Sequence, residues 1–119
     1  MQIKIGVILA VVMASLSIAT HATAQVRVIA AMPAQSGVVQ PGARVWLRFN
    51  APIDKRTVRI TLRRGGSGHI ALRLTFSDDR RLIYLHPARP LARGTYQVVW
   101  HTRGPDGIPV RGAYDFIVL

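Results

Sequence analysis

From residue 26 onward, apolar and polar side chains alternate with a period of two, and β-branched residues fill many of the apolar positions. That period belongs to half-buried strands, whose successive side chains point to opposite faces of a sheet. It predicts seven strands: Val26 to Met32, Ala43 to Asn50, Thr57 to Arg63, His69 to Phe76, Arg81 to Leu85, Thr95 to Thr102 and Gly112 to Leu119. In the second, Val45, Leu47 and Phe49 share the face predicted to meet a core, and Arg44, Trp46 and Arg48 share the other. The third sets Val58, Ile60 and Leu62 against Arg59 and Arg63, and the fourth sets Ile70, Leu72, Leu74 and Phe76 against Arg73 and Thr75.

Turn formers separate these runs at Pro41-Gly42, Gly65-Gly66-Ser67-Gly68, Asp78-Asp79, Pro90 to Gly94 and Gly104-Pro105-Asp106-Gly107. No helical period is sustained across them. Short strands at this spacing predict an all-β fold, a seven-stranded immunoglobulin-like Greek-key β-sandwich or barrel.

The stretch before the first strand has a different pattern. Lys4 precedes an almost unbroken apolar run from Ile5 to Ile18, and Ala22-Thr23-Ala24 places small residues behind it. These are the parts of a secretory signal peptide. About 14 apolar residues fall short of the roughly 20 that span a bilayer as a helix. The expected organisation is a cleavable signal over residues 1–24 and a single domain over 25–119, exported to the periplasm and beginning at Gln25.

Composition narrows the chemistry. The chain has no cysteine, which excludes disulfides, thiolate metal sites and a cysteine nucleophile. Sixteen basic residues face five acidic ones, all Asp, for a formal charge of +11. Such a surface attracts polyanions, and export turns that inference from nucleic acid toward the envelope or an acidic partner. No Ser/His/Asp or His/Glu constellation stands at a catalytic spacing, and no glycine loop leads into a helix, so an enzyme is not expected.

The last third runs Gly94-Thr95-Tyr96-Gln97-Val98-Val99-Trp100, then Pro105-Asp106-Gly107-Ile108-Pro109-Val110, then Gly112-Ala113-Tyr114-Asp115-Phe116. Earlier come Met32-Pro33-Ala34 and Phe49-Asn50-Ala51-Pro52-Ile53. In this order the segments resemble the CopC family of periplasmic copper-resistance proteins. There a Gly-Thr-Tyr strand leads to an Asp-Gly-His-Pro turn and a final strand, after Ser-Pro-Ala and Phe-Ser-x-Pro-Val segments. The resemblance implies a copper-homeostasis role and Cu(II) held by a mature amino-terminal His and by the Asp and His of that turn. Nitrogen and carboxylate donors of this kind suit the tetragonal preference of Cu(II).

Carried over residue by residue, Gln25 stands in place of the amino-terminal His, Asp106 matches the Asp, and Ile108 stands in place of the turn His. The candidate metal ligands are therefore Gln25, Asp106 and, a few residues before the turn, His101. Two of these also have a plainer reading: Asp106 as a turn former bonded to its own backbone, His101 as a surface histidine. The site is expected to be weakened or lost. The Met-rich and His-rich Cu(I) site of some relatives is expected to be missing as well, because Met32 is the only methionine after residue 24.

Two functions follow. One is a copper-binding protein exchanging metal with a membrane copper transporter. The other is a metal-free adaptor that docks an acidic envelope partner through a basic face of Arg44, Trp46, Arg48, Arg59 and Arg73 on one sheet. Trp46 between two arginines invites guanidinium stacking. A monomer is expected in either case.

Overall fold

The computed structural model describes residues 26–119, so the segment read as a signal peptide, and Gln25 with it, lies outside the described residues. Nine strands form two sheets, and the described residues contain no helix. Strands β1 (Val28–Met32), β3 (Val45–Phe49), β7 (Leu82–Pro87) and β6 (Leu72–Phe76) build a four-stranded sheet in the order β1-β3-β7-β6. Strands β2 (Gly37–Val39), β9 (Pro109–Val118), β8 (Gly94–Arg103), β4 (Arg59–Arg64) and β5 (Ser67–Ile70) build a five-stranded sheet in the order β2-β9-β8-β4-β5. Every pairing is antiparallel except that of β2 with β9.

The expected β-sandwich is present, with nine strands where seven were predicted. One addition is β2, three residues long and too short to show an alternation in sequence. The other arises because the run from His69 to Phe76 is two strands, broken at Ala71, which belong to different sheets. Inward residues on either side of such a corner keep the period of two, so Ile70 and Leu72 read as one strand face.

The core matches the alternation. Val45, Leu47 and Phe49 from one sheet meet Leu62, Tyr96, Val98, Trp100, Tyr114, Phe116 and Val118 from the other, all buried. The Tyr96 and Phe116 rings stack 5.5 Å apart, and Trp100 lies 6.0 Å from Tyr114. Tyr96 donates its hydroxyl hydrogen to the Ala92 carbonyl at 2.6 Å, which satisfies the polar end of a buried ring. Tyr114 has no such partner. Its hydroxyl is buried without a hydrogen bond among the described residues, and desolvation pushes the phenol well above its usual range. Gly112 sits directly across from Trp100 on the neighbouring strand, and a methyl group there would overlap the indole.

Candidate functional site

One end of the sandwich gathers the start of the described chain and the turn between β8 and β9. Val26 is buried, and its side chain packs against the place a Cβ on Gly104 would occupy. The next residue fixes the entry: the Arg27 amide donates to Asn50 Oδ1 at 2.8 Å, and the Asn50 amide donates to the Arg27 carbonyl at 3.0 Å. The chain is thus held between the end of β3 and the turn that bears Asp106.

The turn is built from its own residues. The Gly107 amide donates to the Gly104 carbonyl at 2.9 Å, and the Ile108 amide donates to Asp106 Oδ1 at 3.0 Å. Gly107 adopts φ 78°, a left-handed conformation that glycine takes without strain. The Arg103 guanidinium donates to the Gly107 carbonyl at 2.9 Å and ties the turn back to β8. Asp106 therefore acts as the turn former of the plainer reading, with one carboxylate oxygen engaged. Ile108, at the position matching the family's turn His, is 46% exposed.

Beside the turn lies a groove of about 700 Å³ lined by Pro52, Ile53, Asp54, Lys55, Arg56, Arg80, Gly104 and Pro105. Its carboxylate, Asp54, pairs with Arg56 at 3.3 Å. Hydrogen bonds from the Arg56 side chain and backbone hold that carboxyl below its ordinary range. Two lysine and arginine side chains besides Arg56 line the same wall, so the groove is cationic.

His101 lies on the strand that leads into this turn, on its outward side. It is exposed on the outer face of the five-stranded sheet, directly opposite Arg59 on β4 and Arg111 on β9. Cross-strand partners stand about 4.5–5.5 Å apart at Cβ, so two guanidinium-bearing residues flank the imidazole. Among the described residues, no three His, Cys, Asp or Glu side chains gather as a metal site would require. Asp106 has one carboxylate oxygen engaged in its turn, and His101 stands between two arginines on the outer face of the sheet. Gln25 lies outside the described residues.

The remaining histidines among the described residues are placed apart. His86 shares a 2.8 Å hydrogen bond between Nε2 and Thr75 Oγ1, and its ring lies 6.5 Å from that of Tyr84. His69 is exposed on β5 opposite Arg63.

The predicted basic face divides. Trp46 and Arg48 on β3 and Arg73 on β6 belong to the four-stranded sheet, with Arg44 just ahead of β3. Arg59 belongs to β4, which pairs with β5 and β8 in the other sheet. Arg59 therefore does not share their sheet. Alternation tells which side of a strand faces out, and it carries no information about which sheet the strand joins. The structure adds members that the sequence reading passed over. Met32, Trp46, Tyr84 and Thr75 form one row across the four-stranded sheet. Arg111 beside His101 is the other omission. Its outward position was readable from the alternation of the last strand, whereas its neighbour required the register.

Comparison with known proteins follows the fold. A family model of the CopC domain matches residues 28–119. The structure resembles that of PcoC, a methionine-rich copper resistance protein from Escherichia coli, with a TM-score of 0.73 and 22% identity over 81% of this chain and 100% of that one. CopC from Methylosinus trichosporium OB3b gives a TM-score of 0.69 and 24% identity over 78% of this chain and 92% of that one. The surface layer protein SbsC, domains 1–6, shares the fold at a TM-score of 0.61 and 16% identity, over 81% of this chain and 14% of that one. No curated protein matches the sequence. Among the described residues no helix is long and apolar enough to cross a membrane. Because the domain match runs from the first strand of the sandwich through the last, this chain belongs to the CopC family.

Proposed function

We propose that the protein is a periplasmic copper-homeostasis protein of CopC type, not an enzyme, whose Cu(II) site is reduced to weak binding. Family membership supports the role, and the structural relative PcoC is named as a copper resistance protein. The observation that carries the reading is the packing of Val26 against Gly104. The chain enters the sandwich beside the Asp106 turn, where ligands from an amino terminus and from the turn would meet. At the two sequence positions that match the family's imidazoles this chain has Gln25 and Ile108, and arginine and lysine line the groove beside the turn. Metal delivered to this end would pass to a membrane copper transporter as partner.

The test is a Cu(II) titration of the mature protein, its amino terminus fixed by intact mass at Gln25, beside the variant carrying Gln25→His and Ile108→His. Weak binding by the first and a tight one-to-one complex with the second are expected. Tight stoichiometric binding by the unmodified protein would sink the reduced-site reading.

A second reading, a metal-free adaptor for an acidic envelope partner, is favoured by one observation. Arg56 with Asp54 is the single ion pair among the described residues, which leaves the outward arginines of both sheets without carboxylate partners.

A further inference from the structure

The outer face of the five-stranded sheet carries a row that the copper reading leaves unused. Arg59, His101 and Arg111 stand side by side on β4, β8 and β9, all exposed. Arg59 and Arg111 each stand opposite His101, one on either side of it, and no carboxylate lies in this row. Along the strands on one side its neighbours are Thr61, Val99 and Ala113, and on the other Arg103 and Pro109. The nearest acid on the same face, Asp115, is opposite Gln97 in the row that holds Arg63.

We propose that this row is a binding site for a phosphate-type oxyanion. A groove of about 380 Å³ opens beside it, lined by Thr57, His101, Thr102, Arg103, Pro109, Val110 and Arg111. Arg111 makes no ion pair among the described residues, and the Arg59 guanidinium has only a 3.3 Å bond to the Val58 carbonyl. Arg103 has one nitrogen committed to Gly107, so Arg59 and Arg111 supply the available forks and His101 a ring donor between them. One arginine satisfies a planar carboxylate through a bidentate pair. Donors arriving from three strands suit a tetrahedral group that has oxygens to share among them. The charge that draws an anion here also repels a metal cation.

Phosphate of this kind belongs either to soluble phosphate esters or to lipid head groups. The mature protein at low ionic strength is titrated with inorganic phosphate while the His101 ring resonances are followed by NMR. In parallel it is mixed with phosphatidylglycerol vesicles and with phosphatidylcholine vesicles. Arg59→Gln with Arg111→Gln is compared with Arg89→Gln and Arg93→Gln, which remove the same charge from the exposed β7–β8 connection at the other end of β8. Both pairs are exposed, so folding is expected to persist, and Arg111→Gln alone serves if the double variant does not fold.

The expected result is a saturating shift that the row variant weakens at least about tenfold, as loss of charge-assisted hydrogen bonds requires, and that the control leaves within about twofold, as non-contacting exposed charges do. Row-dependent binding to phosphatidylglycerol vesicles without a response to inorganic phosphate assigns lipid head groups. The reverse assigns soluble esters. No binding in either arm, or equal losses in the two variants, would overturn the proposal, since equal losses report net charge alone.

Discussion

Two neighbouring rows of the β8–β9 ladder are one residue apart and obey different physics. Trp100 faces Gly112 inside the sandwich, and His101 faces Arg111 outside it. Volume fixes the first, because the indole occupies the space that any side chain larger than hydrogen would need. Charge governs the second, where both side chains are exposed and neither makes an ion pair among the described residues. A one-residue step along a strand therefore separates a position that tolerates no added atom from one that tolerates most substitutions but answers to salt.

The strongest way to break this contrast is to add one heavy atom on each side. Gly112→Ala is expected to lower stability by about 1–3 kcal/mol through overpacking against Trp100. In a domain of this size each kcal/mol lowers the melting temperature by roughly 4–8 °C. Ala113→Ser, on the outward side of the next residue, is expected to stay within about 0.5 kcal/mol. Thermal unfolding of both variants checks this. Equal melting temperatures would mean that the ladder relaxes around Trp100 and that volume does not fix the inner row.

A smaller effect separates two buried tyrosines on these same strands. Tyr96→Phe removes the 2.6 Å bond to Ala92 and leaves that carbonyl without its partner, for an expected loss of about 1 kcal/mol. Tyr114→Phe removes a hydroxyl that has no partner among the described residues, so stability is expected to hold or rise slightly. Chemical denaturation resolves the pair, and a loss at Tyr114 as large as at Tyr96 would contradict the assignment.

The smallest effect concerns the carboxylates, two of which sit in turns and not in the ladder. Asp54 is held below its ordinary value of 3.8 by Arg56, and Asp79 by the Ser77 hydroxyl and the Arg81 amide. Lowered values in the folded state mean stabilisation that is complete above pH 3.8 and lost as pH falls through the lowered values. Both groups are solvent-exposed, so the loss is expected to be slight. Asp79→Asn is expected to flatten part of the acid limb of a melting-temperature profile and leave neutral pH nearly unchanged. A large fall at pH 7 would mean that the Ser77–Asp79 turn does more than this.

What the sequence disclosed follows the same division. Alternation identified Val45, Leu47 and Phe49 as core, because burial leaves a local, period-two trace. It could not disclose the corner at Ala71, the three-residue β2 or the sheet that Arg59 joins, since partner strands are chosen by contacts far apart in sequence. The candidate site divided likewise. The Asp106 turn was legible from its Asp-Gly spacing, whereas the row through His101 exists only once β4, β8 and β9 are in register.

The brevity of β2 has a consequence for colloidal behaviour. It pairs with β9 only from Phe116 to Val118, with further bonds from the Ser36 amide to the Asp115 carbonyl and from the Leu119 amide to the Val39 carbonyl. From Pro109 to Tyr114 no strand lies beyond β9 among the described residues, so this margin is where a second molecule would add a strand and begin a chain of copies. Pro109 offers no amide hydrogen there, and Arg111 plants a charge in the middle of the segment. Both are recognised brakes on edge-to-edge growth. The arginine that looks like surplus charge on the sheet face thus also works against the pairing of this edge with a second copy.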